Sequence, residues 1–219
     1  AQLDAYTAAL EEHRRSKAPG GFSGKLAQLR YAAFAGDLSK GSPSCKLDDL
    51  EALLEGELSG EKVVVFSQYR RVVDFAADRL ARYRPQVVHS QVSERDRTDA
   101  RRRFELSDRC RVIIGTSAMQ RGLNLQKAGV VVHLDLPWNP AEIVQRVGRV
   151  RRLGQERGSV LSVALIAERP GGDETVDHRT VLACGGRQAI AEAIMHGGED
   201  ALGARTTGEA EIARYLEGL

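Results

Sequence analysis

The sequence predicts an α/β protein built on a parallel sheet with helices on both faces, and three observations carry that prediction. Short runs of consecutive apolar, mostly β-branched residues recur along the chain: Val63-Val64-Val65-Phe66, Val87-Val88, Val112-Ile113-Ile114, Val130-Val131-Val132 and a fifth over 160–166. Between them lie segments with apolar residues three and four apart, the spacing of a helix that buries one stripe. Each run is apolar at adjacent rather than alternate positions, so both of its faces must be covered, as in parallel strands joined by helical crossovers. Such crossovers are right-handed, and binding residues gather where the chain leaves the carboxyl ends of the strands. The residues at those ends are polar here: Ser67-Gln68, His89-Ser90, Thr116-Ser117 and the segment from Asp135 to Asn139.

The first 45 residues read as helices broken by loops. Leu3, Tyr6 and Leu10, then Leu26, Leu29 and Ala33, recur at helical spacing on either side of Pro19-Gly20-Gly21. Gly41-Ser42-Pro43-Ser44 closes this part with turn residues, and a helix over 46–58 places Leu47, Leu50, Leu54 and Leu58 on one face. After the first apolar run, 72–83 carries Val72, Ala76, Leu80 and Tyr83 on one stripe. A helix over 93–106 opens on Ser93, with Asp96 three residues on as in a capping box. Asn139-Pro140 starts another, since Asn caps well, Pro suits the first helical position and Glu142 complements the positive helix end. Beyond 166 the chain turns polar: Arg169-Pro170-Gly171-Gly172-Asp173 is a loop, followed by a helix over 175–195 interrupted at Gly185-Gly186 and a short helix over 209–219. The division expected is a helical extension over 1–45, an α/β lobe over 46–167 and a second helical extension over 168–219.

Composition excludes more than it identifies. With 42% hydrophobic and 28% charged residues the chain is ordinary for a globular protein, and a net charge of +2 does not by itself demand a polyanionic partner. The distribution says more, because Arg101, Arg102 and Arg103 form one cluster and Arg146, Arg149, Arg151 and Arg152 another. Cys45, Cys110 and Cys184 are far apart and form no metal-binding pair, which suits a reducing compartment. The sequence carries neither a membrane span nor a secretory signal, so a soluble, cytoplasmic protein is expected, nucleoid-associated if bacterial.

Two apparent phosphate or metal motifs fail on chemistry. Gly20 to Lys25 has the glycine spacing of a triphosphate loop one residue short, with Leu26 where a magnesium-binding hydroxyl belongs and no strand before it. Asp173-Glu174 follows Pro-Gly-Gly rather than a strand end, which makes it a solvated loop. The residues that suit phosphate lie elsewhere, in Gln145-Arg146-Val147-Gly148-Arg149-Val150-Arg151-Arg152-Leu153-Gly154-Gln155. On a helix begun at Pro140, offsets of four and three place Gln145, Arg149 and Arg152 near one face. A planar guanidinium grips phosphate oxygens with two parallel bonds, and Gly148 permits close approach beside Arg149.

This block resembles motif VI of superfamily 2 helicases in the form carried by Swi/Snf-type DNA translocases. The stretch from Gly115 to Leu125 resembles motif V, His133 to Ala141 matches the D-x-x-W-N-P-A link between the two, and Val63 to Tyr69 resembles motif IV. His89 to Phe104 is similar to the family segment carrying the pairs Glu94-Arg95 and Arg103-Phe104. The flanks add Lys46-Leu47-Asp48-Asp49-Leu50 before motif IV, the Leu26 to Arg30 helix and Glu174-Thr175-Val176-Asp177 after motif VI. Gly148 stands where eukaryotic members usually carry an acidic residue, so a bacterial member or a more general helicase form is expected. Ser90 replaces a common glycine, and Asn124 the aspartate of DEAD-box proteins.

The resemblance implies a RecA-like second lobe whose partner is a first RecA-like lobe of the same protein. That first lobe would hold most of the ATP and Mg2+, and the present chain, opening inside a helix, would be a piece of the longer protein, inactive alone. Arg149 and Arg152 would face the triphosphate as arginine fingers with Gln145 orienting them, and Gly122, Leu123 and Asn124 would meet the nucleotide. Ser67, Gln68, Ser90, Thr116 and Ser117 would meet the sugar-phosphate backbone of double-stranded DNA, because hydroxyl and amide groups grip phosphates without reading sequence. Trp138 is placed either against DNA or as packing under the sheet edge, and His133 as packing. Two alternatives stay open: an RNA helicase lobe of the same superfamily, or a non-catalytic nucleic-acid-binding module.

Overall fold

Among the residues the structure describes, five short strands, β1 (Val63–Phe66), β2 (Gln86–Val88), β3 (Val112–Gly115), β4 (Val130–His133) and β5 (Leu161–Ala164), form one sheet in the order β2-β3-β1-β4-β5. The computed structural model describes residues 2–15, 22–39, 41–120, 125–151, 159–171 and 173–195. Every pairing is parallel, with Val63 opposite both Val112 and Val130. The chain builds β2 and β3 on one side of β1 and then crosses to place β4 and β5 on the other, which makes the carboxyl edge around β1 the crevice of the sheet.

Alternate residues of the same strands supply two separate cores. Val63, Val65, Val112, Ile114, Val130 and Val132 face α3 (Cys45–Glu55) and α4 (Arg70–Arg79). Val64, Phe66, Ile113 and Val131 face the other way, toward Ala100 and Phe104 of α5 (Glu94–Leu106) and toward Met119 and Val150. This is why the strands are apolar at every position: three of them are buried along their full length. The edge strand β5 departs from that pattern, with Leu161, Ser162 and Ala164 exposed. Gly115 ends β3 where β2 passes close; an added Cβ would lie 2.0 Å from the Val88 carbonyl oxygen, so no larger residue fits.

The caps predicted at Ser93 and Asn139 form, and Ser44 supplies a further one. Ser44 accepts from the Leu47 amide at the start of α3, and Ser93 from the Asp96 amide at the start of α5. Asn139 accepts from the Ala141 amide, with Pro140 at the first position of α6 (Pro140–Val147). Two buried-side cations close helix carboxyl ends. Lys62 donates to the carbonyls of Phe104, Ser107 and Cys110 beyond α5. Arg111 donates to those of Leu54 and Leu58 after α3.

The flanks meet each other. Tyr6 and Leu10 of α1 (Gln2–Arg15), Leu29, Ala32 and Ala33 of α2 (Phe22–Phe34), and Val176 of α7 (Val176–Met195) form a third apolar cluster with Ala167. The interruption expected at Gly185-Gly186 is absent, and α7 runs through both glycines. Each costs about 1 kcal/mol against alanine, which a helix docked through its first half tolerates. The predicted loop at 169–173 turns at Gly171, whose φ of 92° suits glycine. The short helix expected over 209–219 lies outside the described residues.

Candidate functional site

The carboxyl ends of β1 and β4 are fastened together by a polar lattice. The amide of Leu134, just past β4, donates to the carbonyl of Phe66 at 2.9 Å. One carboxylate oxygen of Asp135 accepts the Gln68 amide at 2.8 Å, and the other accepts the Ser67 hydroxyl. The Gln68 side chain donates to the Leu136 carbonyl at 2.7 Å. Four bonds therefore join the two exits, each spanning 67 or 68 positions of the sequence.

Beneath this lattice lies Arg146 of α6, none of whose surface reaches solvent. Its guanidinium donates to the Asp135 carbonyl at 3.1 Å and to Nδ1 of His133 at 3.3 Å, and sits 5.3 Å from the centre of the Phe66 ring. Burial pushes this guanidinium down from its ordinary range, with Asp135 and then Glu142 pulling it back up. His133 stacks on Phe66. Burial first, and the Arg146 charge second, push its imidazole down to about 4, so it is neutral at physiological pH. Arg146 can only donate, so Nδ1 accepts and Nε2–H donates to the Ser162 hydroxyl at 3.2 Å.

This has a measurable consequence for stability. The folded His133 holds its proton only near pH 4, whereas the unfolded one takes it near 6.5. Between those values the unfolded state binds more protons, so stability is complete above about pH 6.5 and declines as pH falls toward 4, by on the order of 3 kcal/mol. Urea unfolding across that window is expected to lose this component in His133→Gln, which keeps an acceptor and a donor but does not titrate. Parallel curves for the two proteins would refute it.

The sequence-predicted site residues divide by what their side chains can reach. Ser90 and Ser117 are exposed, and Thr116 is half-buried with its amide on the Val88 carbonyl at 3.0 Å. These three stand at the carboxyl edge with surface available to a phosphate. Ser67 does not. It is 0% exposed and its hydroxyl is committed to Asp135, so the backbone contact expected of it is corrected to an internal one. Gln68 is half-buried with its amide group spent on Leu136, which likewise turns it inward. Trp138 is half-buried and packs against the flanking cluster, with the Arg30 guanidinium 4.2 Å from the ring centre.

Helix α6 carries the start of the arginine-rich block. It ends at Val147, and Gly148 to Val150 continue as a turn whose amides donate back to the carbonyls of Val144, Arg146 and Val147. Gln145 is exposed on α6. Arg149 is half-buried, with its amide donating to the Arg146 carbonyl and its own carbonyl accepting from Leu125, both at 3.2 Å. Its root is thus pinned from both sides, while among the described residues its guanidinium takes no ion pair. Arg152, Gly122, Leu123 and Asn124 lie outside the described residues. Among the residues of this lattice, His133 is buried as expected and Asp135 belongs to the polar segment read at the strand ends, whereas the burial of Arg146 was missed. Arg146 was counted with a basic cluster, yet it shares a stripe with Ile143, Val147 and Val150, a pattern that marks a buried position.

A parallel sheet with this strand order, two helical layers and a polar carboxyl edge defines a RecA-like lobe. Residues 45–154 match the helicase conserved C-terminal domain, and the chain belongs to that family. DEAD-box ATP-dependent RNA helicase 40 of Oryza sativa subsp. japonica is 32% identical over 114 residues, 52% of this chain and 14% of that protein. The ATP-dependent helicase YqhH of Bacillus subtilis is 35% identical over 101 residues, 44% of this chain and 17% of that protein. The chain therefore matches only a small part of the length of these relatives. Among solved structures, the C-terminal part of the Fun30 ATPase domain superposes with a TM-score of 0.70 at 16% identity, covering 84% of each chain. The Sulfolobus solfataricus SWI2/SNF2 ATPase core in complex with dsDNA superposes with a TM-score of 0.65 at 18% identity, covering 95% of this chain and 46% of that one.

Proposed function

We propose that this chain is the second motor lobe of an ATP-dependent, double-stranded-DNA translocase of Swi/Snf type, working against a first RecA-like lobe of the same protein. The observation that carries this reading is Arg149: a guanidinium on a root pinned by two backbone bonds, with no partner of its own among the described residues. Such a cation fits a phosphate presented by a facing domain. Bound ATP, with Mg2+ held mainly on the first lobe, supplies the phosphoryl transfer. Arg149, and Arg152 beside it in sequence, draw this lobe closed over the triphosphate and release it once the anchoring charge has gone. Gly122, Leu123 and Asn124 are assigned to the nucleotide from the motif alone. Ser90, Thr116 and Ser117 hold the sugar-phosphate backbone, so that alternate gripping by the two lobes becomes movement along the duplex.

Support for DNA comes from the D-x-x-W-N-P-A link at 135–141 and from the fold shared with two Swi2/Snf2 ATPase cores, one of them bound to dsDNA. A second reading, an RNA helicase lobe, is favoured by the names of the sequence relatives, several of which are DEAD-box RNA helicases. ATP hydrolysis by the full-length protein distinguishes them. Duplex DNA is expected to stimulate turnover at least tenfold more than RNA of equal length. Stimulation by RNA alone would support the second reading, and no hydrolysis with either would leave the lobe a binding module.

A further inference from the structure

The buried lattice around Arg146 is too costly to be explained as packing. A guanidinium fully withdrawn from water loses several kcal/mol of hydration, and an apolar side chain of similar volume usually serves stability as well or better. Arg146 has no carboxylate within ion-pair distance among the described residues, and its Nε and Nη2 have no hydrogen-bond partner. Its neighbours on the stripe, Ile143, Val147 and Val150, are all apolar. A methionine would fill that place without the penalty. What the charge adds is direction: one terminal nitrogen, Nη1, that donates to the Asp135 carbonyl and to His133 at the same time.

Those bonds complete a continuous connection. At one end are Ser67 and Gln68, which leave β1 and are held by the Asp135 carboxylate. Asp135 leaves β4, and its carbonyl is held by Arg146. The Arg146 carbonyl in turn accepts the Arg149 amide. The links are backbone groups and the buried side chains of Ser67, Asp135 and Arg146, so little slack separates the edge of the sheet from the turn that carries Arg149. We infer that Arg146 is a positioning residue, and Asp135 its counterpart, fastening the Arg149 turn to the β1 exit so that the two move as one body.

The catalytic part of this inference rests on the proposed motor reading, whereas the mechanical part does not. Two measurements on the full-length protein separate them, using Arg146→Met and Arg146→Lys. The first is amide exchange without nucleotide or nucleic acid. In Arg146→Met the peptide carrying Gln68 and Tyr69 is expected to exchange at least threefold faster than in wild type, while the central strands β1 and β3 keep their protection. Arg146→Lys, which keeps a cation able to reach one acceptor, recovers part of the difference. The second is steady-state hydrolysis with saturating duplex DNA. Arg146→Met is expected to lower kcat at least tenfold, with KM for ATP and the duplex Kd within twofold of wild type.

Unchanged exchange at 67–69, or faster exchange spread evenly over the sheet, overturns the connection. Faster local exchange with kcat within twofold of wild type overturns the positioning role. A loss of kcat matched by an equal weakening of duplex binding would make Arg146 part of the nucleic-acid grip and overturns it too. If the wild-type protein hydrolyses no ATP, the motor reading fails, and the exchange result still decides whether the connection exists.

Discussion

Arg149→Ala in the full-length protein is expected to lower ATP turnover by roughly three orders of magnitude or more, the scale on which arginine fingers act. Three observations place the effect in turnover rather than in folding. Arg149 is half-buried and its guanidinium takes no ion pair among the described residues, so its removal leaves no orphaned carboxylate there. The backbone bonds of Arg149, to the Arg146 carbonyl and from the Leu125 amide, do not depend on its side chain. Val150, the next residue, remains buried against the sheet. Stability should therefore change by no more than about 1 kcal/mol. Arg149→Lys should restore little, because an ammonium cannot reproduce two parallel bonds to phosphate. Steady-state hydrolysis at saturating duplex DNA, beside thermal melting, makes the check. Turnover near wild type in either variant would remove the finger role.

The sheet was legible because parallel strands buried on both faces leave a plain trace, consecutive β-branched residues, and β1, β3 and β4 follow it along their whole length. Caps were legible for a related reason: Ser93 and Asn139 act within three residues of themselves. The shortfalls are all non-local. Ser67 looked like a phosphate ligand because its hydroxyl sits at a strand end, and nothing near it in sequence announces Asp135, which arrives from another strand to claim it. Arg146 looked like surface charge because it stands among arginines, although the stripe it occupies is apolar. Gly185-Gly186 suggested a break, since local propensity does not register that Thr180 and Cys184 already dock α7 onto Arg30 and the Pro137 carbonyl. Motif spacing thus located the edge of the sheet, while tertiary packing decided which polar groups at that edge remain free.

The largest expected effect on stability comes from Asp177→Ala. Asp177, near the start of α7, is 5% exposed, and its carboxylate accepts from Lys46 at 2.5 Å and from the Ala167 amide at 3.0 Å. Lys46, near the start of α3, is equally withdrawn and otherwise donates to the Leu134 carbonyl at 2.8 Å. Removing the carboxylate leaves an ammonium buried against one carbonyl and an amide without its acceptor. Breaking a buried pair from one side costs about 3–5 kcal/mol. That is a large share of the 5–15 kcal/mol typical of a whole domain. Replacing both partners should cost far less than the sum of the single changes, because the penalty lies in the uncompensated charge rather than in the lost attraction. Urea unfolding of Asp177→Ala, Lys46→Met and the double variant therefore forms a cycle with a strongly negative coupling term. The same pair joins α7 to the β4 exit one residue before Asp135, so the single variants should also loosen the edge that carries Ser67. A cost below about 1 kcal/mol for Asp177→Ala would mean that water reaches Lys46 once the carboxylate is gone, and that α7 is not held by this pair.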